Sequence, residues 1–244
     1  MLQVEIKHLN FENNNIKKEI LRNINFSLLP GNVYTVFGLN GSGKTTLLNS
    51  IIGNLDGRFY SISGNIYWNG KNILSLSESQ KTAFRRKHVR FVFQDAITSF
   101  DPLKKTGYYF KNITAPPDEI KEMLNYFHLP GYKTITAMHP FELSGGMAQR
   151  LSIMLALLSG AKLILLDEPT SALDIPVANL LKLKLREFVE KRELIILNVT
   201  QDFKFGLKVS DQVAFLKNGV LSSFSSTEKF KEDENIINKL ADLI

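Results

Sequence analysis

The stretch Gly38-Leu39-Asn40-Gly41-Ser42-Gly43-Lys44-Thr45 fits the pattern G-x-x-x-x-G-K-[ST] at every fixed position. The run before it, residues 32–37 (NVYTVF), predicts a buried strand, and residues 46–52 (TLLNSII) predict a helix. Strand, glycine loop and helix in this order form the context that a phosphate-binding loop needs. Glycines let backbone N–H groups converge on phosphate oxygens, and the helix N-terminus adds the positive end of its dipole. The stretch therefore predicts a site for the phosphates of a nucleotide.

Two side chains of the loop have distinct predicted roles. Lys44 can reach the β- and γ-phosphate oxygens, and the Thr45 hydroxyl can bind Mg²⁺. A glycine-rich turn that matches the pattern by chance is the alternative, and the other motifs of the chain argue against it. The residues predicted to contact the nucleotide are Gly38, Asn40, Gly41, Ser42, Gly43, Lys44, Thr45 and Thr46.

The bulk composition is that of a globular chain. Its 244 residues, 44% hydrophobic and 22% charged, predict one large domain or a domain with a subdomain. The absence of cysteine excludes disulfides and thiolate metal sites. Residues 1–6 show no signal-peptide pattern, and the apolar stretch 151–166 is predicted to be a helix followed by a strand, not a membrane span. A net charge of +6 permits nucleic acid or an anionic membrane as a neighbour.

The sequence around the glycine loop predicts antiparallel strands and helices. Residues 4–9 and 24–28 alternate apolar and polar side chains, which predicts two half-exposed strands joined by a polar loop at 12–15. Asn-Gly at the end of 64–70 predicts a hairpin. Further predictions are a helix at 77–87 capped by Ser77, a strand at 90–93 and a mostly helical region from Ala115 to about Ser159.

The last third of the chain predicts an α/β arrangement. Residues 163–166 (LILL) and 194–199 (LIILNV) are continuous apolar runs, as expected for parallel strands covered on both faces. Pro176 can begin a helix between them. A hairpin over 213–220 and a terminal helix over 236–244 complete the prediction.

Two acids directly follow the first of these runs. Asp167 and Glu168 are therefore predicted at the carboxyl end of a buried strand, the edge where open α/β sheets bind nucleotides. Asp167 can bind Mg²⁺, and Glu168 can orient or deprotonate the water that attacks the γ-phosphate. Polar residues that merely end a strand are the alternative, which the complete loop at 38–45 makes the weaker interpretation.

A second glycine motif, Ser144-Gly145-Gly146, precedes another predicted helix. Ser144 is a good N-cap, and the two glycines leave backbone N–H groups open to an anion. One chain needs only one loop for its own nucleotide. We therefore predict that this second surface serves the nucleotide of another subunit.

Taken together, these motifs resemble those of an ABC-type ATPase, and the resemblance covers nearly the whole chain. Its Walker A loop is 38–45, its signature 143–146 (LSGG), its Walker B run 165–170 (LLDEPT) and its D-loop 171–174 (SALD). The resemblance implies one ABC ATPase domain over 1–244 with an α/β fold. A P-loop NTPase (RecA-like) core with an antiparallel β subdomain would span about 1–93 and 161–244. The Q-loop and an inserted α-helical subdomain would span about 94–160.

The resemblance also implies how the site works. In this family two such domains clamp head to tail, so each ATP lies between the Walker motifs of one domain and the signature (here Ser144, Gly145 and Gly146) of the other. Gln94 matches the Q-loop glutamine, which touches Mg²⁺ or the attacking water. Phe11 is the candidate for stacking on adenine, although a core phenylalanine would look the same in the sequence.

Two stretches are similar to those of importer ATPases for oligopeptides, dipeptides and nickel or metal chelates. They are 93–103 (FQDAITSFDPL) and 139–147 (HPFELSGGM). The implied cofactors are ATP and Mg²⁺. The implied partners are two transmembrane permease subunits, a second ATPase subunit and, indirectly, an external substrate-binding protein. The implied location is peripheral, on the cytoplasmic face of the cell membrane.

One position departs from the family pattern. Where the family has T-H-D after a strand, this chain has Thr200-Gln201-Asp202. Gln201 can donate a hydrogen bond to a γ-phosphate oxygen, but it cannot carry the proton or charge of a histidine. We therefore hypothesise that this chain's own site is slower and that it pairs with a histidine-bearing ATPase. A heterodimer is expected, and a homodimer stays possible.

Two other functions compete with an importer subunit. A DNA-repair or chromosome-associated ABC ATPase would fit the basic cluster 85–88 (RRKH), but the chain has neither long heptads nor the cysteines of zinc modules. No nucleic-acid partner is therefore expected. A slow or purely regulatory ABC subunit would fit Gln201, and the retained Glu168 argues against it.

Overall fold

The computed structural model describes residues 1–14 and 16–232. The strands are β1 (Leu2–Asn13), β2 (Ile16–Leu28), β3 (Asn32–Phe37), β4 (Tyr60–Trp68), β5 (Lys71–Asn72), β6 (Val89–Val92), β7 (Leu163–Asp167), β8 (Ile195–Thr200), β9 (Gln212–Lys217), β10 (Val220–Leu221) and β11 (Ser225–Ser226). The helices are α1 (Lys44–Ile51), α2 (Glu78–His88), α3 (Ala96–Ser99), α4 (Gly107–Phe110), α5 (Pro117–Tyr126), α6 (Tyr132–Ala137), α7 (Gly145–Leu158), α8 (Ile175–Arg192), α9 (Phe203–Val209) and α10 (Thr227–Glu232). The predicted terminal helix at 236–244 lies outside the described residues.

An antiparallel sheet of order β2-β1-β4-β5 forms one layer. The predicted hairpin is confirmed: Asn69 and Gly70 both have positive φ (47° and 81°), as a two-residue turn between β4 and β5 requires. The predicted polar loop at 12–15 is shorter than expected. Because Glu12 pairs with Lys17 and Asn13 with Ile16, those polar residues extend the two strands.

A second sheet has the order β10-β9-β3-β8-β7-β6, with β11 also paired to β9. From β9 to β6 the neighbouring strands are parallel. The predicted apolar strands β7 and β8 are buried along their whole length. Since the parallel strands run in one direction, Phe37, Asp167 and Thr200 all end at the same sheet edge, where nucleotides bind in open α/β sheets.

Helices α3 to α7 follow β6 and precede β7, as the mostly helical prediction for this region requires. Buried side chains of α5 and α7, such as Met123 and Leu151, share one apolar core with Leu185 of α8. Ser77 caps α2 as predicted: its Oγ accepts from Gln80 N at 3.4 Å. Among the described residues, no helix combines the length and apolar character needed to cross a bilayer. The division at about residues 94 and 161 stays a prediction.

Candidate active site

The glycine loop joins β3 to α1 at the carboxyl edge of the parallel sheet. Gly43, directly before α1, has φ 104°, and a Cβ there would lie 2.9 Å from the Leu21 side chain. Only glycine can adopt this positive φ and lie this close to Leu21 without strain. The loop and the start of α1 border a cavity of about 260 Å³. Its walls are formed by Ile20, Asn40, Gly41, Gly43, Lys44, Thr45, Thr46, Gln94, Asp167 and Glu168.

Lys44 is buried between the loop and an acid. Its Nζ donates to the carbonyl oxygens of Gly38 (2.7 Å) and Leu39 (3.1 Å) and lies 3.3 Å from Glu168 Oε1. A buried ammonium needs such compensation, because it has lost its hydration. The fold thus places Lys44, which is predicted to bind the phosphates, next to Glu168, which is predicted to activate water.

Asp167 ends β7 with one carboxylate oxygen engaged and the other free. Thr45 Oγ1 donates to Asp167 Oδ2 at 2.7 Å. Oδ1 is buried and has no hydrogen-bond partner among the described residues. Burial raises the pKa of Asp167 and the charge of Glu168 adds to this, while the Thr45 hydrogen bond and Lys44 oppose it. An unpaired carboxylate oxygen beside a hydroxyl is a donor set that suits a hard cation.

Glu168 is held by the end of β8. Thr200 Oγ1 donates to Glu168 Oε2 at 2.7 Å, and the Gln201 backbone N–H lies 3.1 Å from both carboxylate oxygens. Glu168 has φ 46°, an uncommon conformation for a residue with a side chain and one that clusters at functional sites. Sequence reasoning missed Thr200; its place at the end of a strand on the nucleotide edge was the available signal.

The two glutamines of the prediction are placed differently. Gln94 follows β6, is exposed and lies in the wall of the loop cavity. It also borders a second cavity of about 300 Å³ beside α7. Gln201 has an exposed side chain, does not line the loop cavity and contacts Glu168 through its backbone. The structure therefore brings Gln94, but not the Gln201 side chain, to the cavity wall.

Other predicted nucleotide contacts lie outside this wall. The Phe11 ring packs on Tyr60 with centroids 5.2 Å apart and is not in the cavity lining. Ser42 borders a neighbouring cavity of about 400 Å³. Ile20 of β2 does line the loop cavity, and sequence reasoning missed it. An isoleucine in a half-exposed strand carries no chemical signal, so only the packing of β2 against the loop reveals it.

The signature residues form a separate, outward-facing surface. Ser144 caps α7, its Oγ accepting from Met147 N at 3.2 Å. Ser144 and Gly145 are exposed, Gly146 is half-buried, and none of the three lines the loop cavity. The chain thus carries two spatially distinct candidate phosphate surfaces. Their roles and those of the other site residues stay predictions.

A glycine loop between a central parallel strand and a helix, with an acid pair at the end of a nearby strand, defines a P-loop nucleotide hydrolase. The family model described as "ABC transporter" matches residues 21–171. The chain belongs to the ABC transporter family and is an ATPase that binds ATP.

Two curated relatives illustrate the similarity. The chain is 32% identical over 237 residues to the metal-staphylopine import system ATP-binding protein CntD of Staphylococcus aureus, covering 93% of this chain and 87% of the relative. It is 32% identical over 210 residues to the oligopeptide transport ATP-binding protein OppD of Escherichia coli, covering 82% and 61%. The suspected resemblance to this branch of the family is confirmed.

Solved structures confirm the fold class. A dimeric post-hydrolysis state of the ATP-binding cassette MJ0796 bound to ADP and Pi matches with a TM-score of 0.79 at 25% identity, covering 93% of this chain and 99% of that one. The structure of cbiO1 from Clostridium perfringens, part of the cbiONQ transporter complex, matches with a TM-score of 0.74 at 25% identity, covering 98% and 93%. The chain is an α/β P-loop core with an antiparallel β sheet and inserted helices.

Proposed function

We propose that the chain is the ATP-hydrolysing subunit of an ABC importer that powers uptake of oligopeptides, dipeptides or nickel and other metal chelates. The observation that carries this proposal is the kinship with CntD and OppD, whose names assign them to metal-staphylopine import and oligopeptide transport. The importer-like stretches at 93–103 and 139–147 support it. In this proposal the chain acts at the cytoplasmic face of the membrane as a peripheral subunit.

The residues of the loop cavity supply a hydrolysis mechanism. The loop N–H groups and Lys44 bind the β- and γ-phosphates. Glu168 takes a proton from a water molecule while the oxygen of that water forms a bond to the γ-phosphorus. The bond between the γ-phosphorus and the oxygen that bridges it to the β-phosphate breaks, and ADP leaves. Thr200 and the Gln201 N–H hold the Glu168 carboxylate during this step. The signature of a second ATPase subunit closes over the γ-phosphate.

The cavity also fits Mg²⁺. The Thr45 hydroxyl and the unpaired Oδ1 of Asp167 would hold the ion, with Gln94 nearby in the same wall. Among the described residues, no group of three or more His, Cys, Asp or Glu could hold a metal, so phosphate oxygens and water would complete the coordination shell. The ion would neutralise charge that develops on the phosphate oxygens.

A groove of about 730 Å³ beside the Q-loop supports the proposal of permease partners. One wall is aromatic: Phe91 and Phe93 stack with centroids 4.2 Å apart, and Phe93 is partly exposed. Arg86 and Arg90 give another wall positive charge. Leu103, at the end of the Q-loop stretch, is 87% exposed. An exposed aromatic side chain in the wall of such a groove is typical of an interaction surface, so we assign the groove to a cytoplasmic segment of the permease.

Gln201 is the basis for proposing a heterodimer with a histidine-bearing ATPase. Its backbone N–H donates to the catalytic acid Glu168, and its exposed side chain cannot carry a proton. In the assembled transporter, Gln201→His should raise ATP turnover severalfold, because an imidazole can supply the missing charge. Lys204→His, at an exposed position on α9, controls for an added histidine. Unchanged turnover in Gln201→His would refute the idea of a slow site.

The function itself is tested by purification with the native membrane partners, followed by identification of every co-purifying subunit by mass. Recovery of two permeases with a second, histidine-bearing ATPase is the expected result. Recovery of two copies of this chain with the permeases would support the importer proposal and refute the heterodimer. Recovery with DNA or chromosome proteins would overturn the importer proposal.

A further inference from the structure

Gln149 is a fully buried amide in the second turn of the signature helix α7. Neither its Nε2 nor its Oε1 has a hydrogen-bond partner within the described part of the chain. Gln149 belongs to the wall of the 300 Å³ cavity beside α7, which the Q-loop residues 94–97 and the D-loop residues 171–172 also line. The amide therefore lies where three functional segments meet.

An unpaired buried amide is costly, because it has given up its hydrogen bonds to water without replacement. A methionine has nearly the same length and would fill the position without that penalty. Stability of this conformation therefore does not account for glutamine at position 149. A second conformation in which the amide is satisfied would account for it.

The neighbouring segments point to what that conformation changes. Gln94 lines both the loop cavity and the cavity of Gln149. On the D-loop side, the Ser171 N–H donates to the Glu168 carbonyl at 3.1 Å, so the start of the D-loop is tied to the catalytic acid. A Cβ on Gly146 would lie 3.1 Å from the Ala172 carbonyl, which shows how closely α7 approaches the D-loop.

We propose that Gln149 is a positioning residue for hydrolysis. When α7 and the second subunit close on ATP, its amide forms hydrogen bonds to polar backbone groups of the Q-loop and the D-loop. These bonds fix Gln94 and the turn that carries Glu168 in the arrangement that hydrolysis needs. The inference depends on the ATPase activity and not on the identity of the transported substrate.

The test compares Gln149→Met with Met154→Leu, a buried control on the same helix that does not line the cavity. Thermal unfolding without nucleotide is measured on the whole chain, and kcat and the KM for ATP are measured on the assembled transporter. For Gln149→Met we expect a Tm equal to or above that of the wild type, an unchanged KM and a kcat lower by about tenfold, the size of effect expected from a hydrogen bond made only in the closed state. Met154→Leu should leave kcat and KM unchanged.

Three results would overturn the proposal. A kcat equal to that of the wild type would make the amide a passive core residue. A Tm that falls together with kcat would show that the amide is already satisfied in the nucleotide-free chain and acts structurally. A raised KM with an unchanged kcat would place Gln149 in ATP binding instead of positioning.

Discussion

The loop cavity and the cavity beside α7 differ in how completely their polar groups are paired. In the first, Lys44 and Glu168 contact each other, and Thr200 holds Glu168. In the second, the Gln149 amide is buried without a partner, and Gly145 of the signature is exposed. In the proposed mechanism, one half of the ATP site is therefore assembled within a single chain. The other half would reach its working arrangement only when segments close.

The largest effect is expected from Glu168→Gln, which tests the assembled half. The amide keeps the size of the side chain but cannot accept a proton from water. We expect ATP hydrolysis to fall by about 10²–10⁴-fold with ATP binding retained, as for the loss of a general base. Turnover and equilibrium binding of ATP are the two measurements.

Glu190→Gln is the matched control, because Glu190 is exposed on α8. It should leave turnover unchanged. Intact hydrolysis in Glu168→Gln would contradict the role given to Glu168 and would leave the comparison of the two halves without its catalytic basis.

A smaller effect is expected from Thr200→Val, which removes the hydroxyl that donates to Glu168 Oε2. Hydrogen bonds to charged groups contribute about 1.5–3 kcal/mol, so kcat should fall by roughly 10–100-fold if the bond aligns Glu168 during hydrolysis. The KM for ATP should stay unchanged, since Thr200 does not line the loop cavity.

Thr200→Ser keeps a hydroxyl at this position and should restore most of the activity. If Thr200→Val keeps the kcat of the wild type while Thr200→Ser loses activity, the methyl packing of Thr200 matters and not its hydrogen bond. That result would show that the first half of the site is less tightly organised than its contacts indicate.

Sequence reasoning predicted the parts of the site that have fixed spacing or strong chemistry. The glycine loop and the pair Asp167 and Glu168 lie where the pattern of strands and helices placed them. Ile20 and Gln149 were missed, because their significance comes from packing between segments far apart in the chain. The strands were predicted from apolar runs, whereas the length of β1 depended on pairing that its polar end residues do not reveal.

The smallest effect concerns an unpaired atom of the assembled half, Asp167 Oδ1. Burial raises the pKa of Asp167, so the folded chain binds a proton that the unfolded chain releases. Stability is therefore lost as pH rises from the ordinary Asp pKa through the raised folded value. Asp167→Asn removes this titration. Its Tm relative to the wild type should increase from pH 4 towards pH 7, by on the order of a few degrees.

Asp211→Asn provides the opposite case. Asp211 accepts from the Val33 N–H at 2.8 Å and pairs with Arg186 at 2.5 Å, and an amide at this position would lose the charge of that pair. We expect the Tm of Asp211→Asn to fall below that of the wild type at pH 7, whereas the Tm of Asp167→Asn relative to the wild type should be higher at pH 7 than at pH 4. If Asp167→Asn instead lost stability at pH 7, the ionised carboxylate would contribute more through Thr45 and Lys44 than its burial costs. That result would contradict the idea that the unpaired Asp167 Oδ1 is kept free to bind a cation.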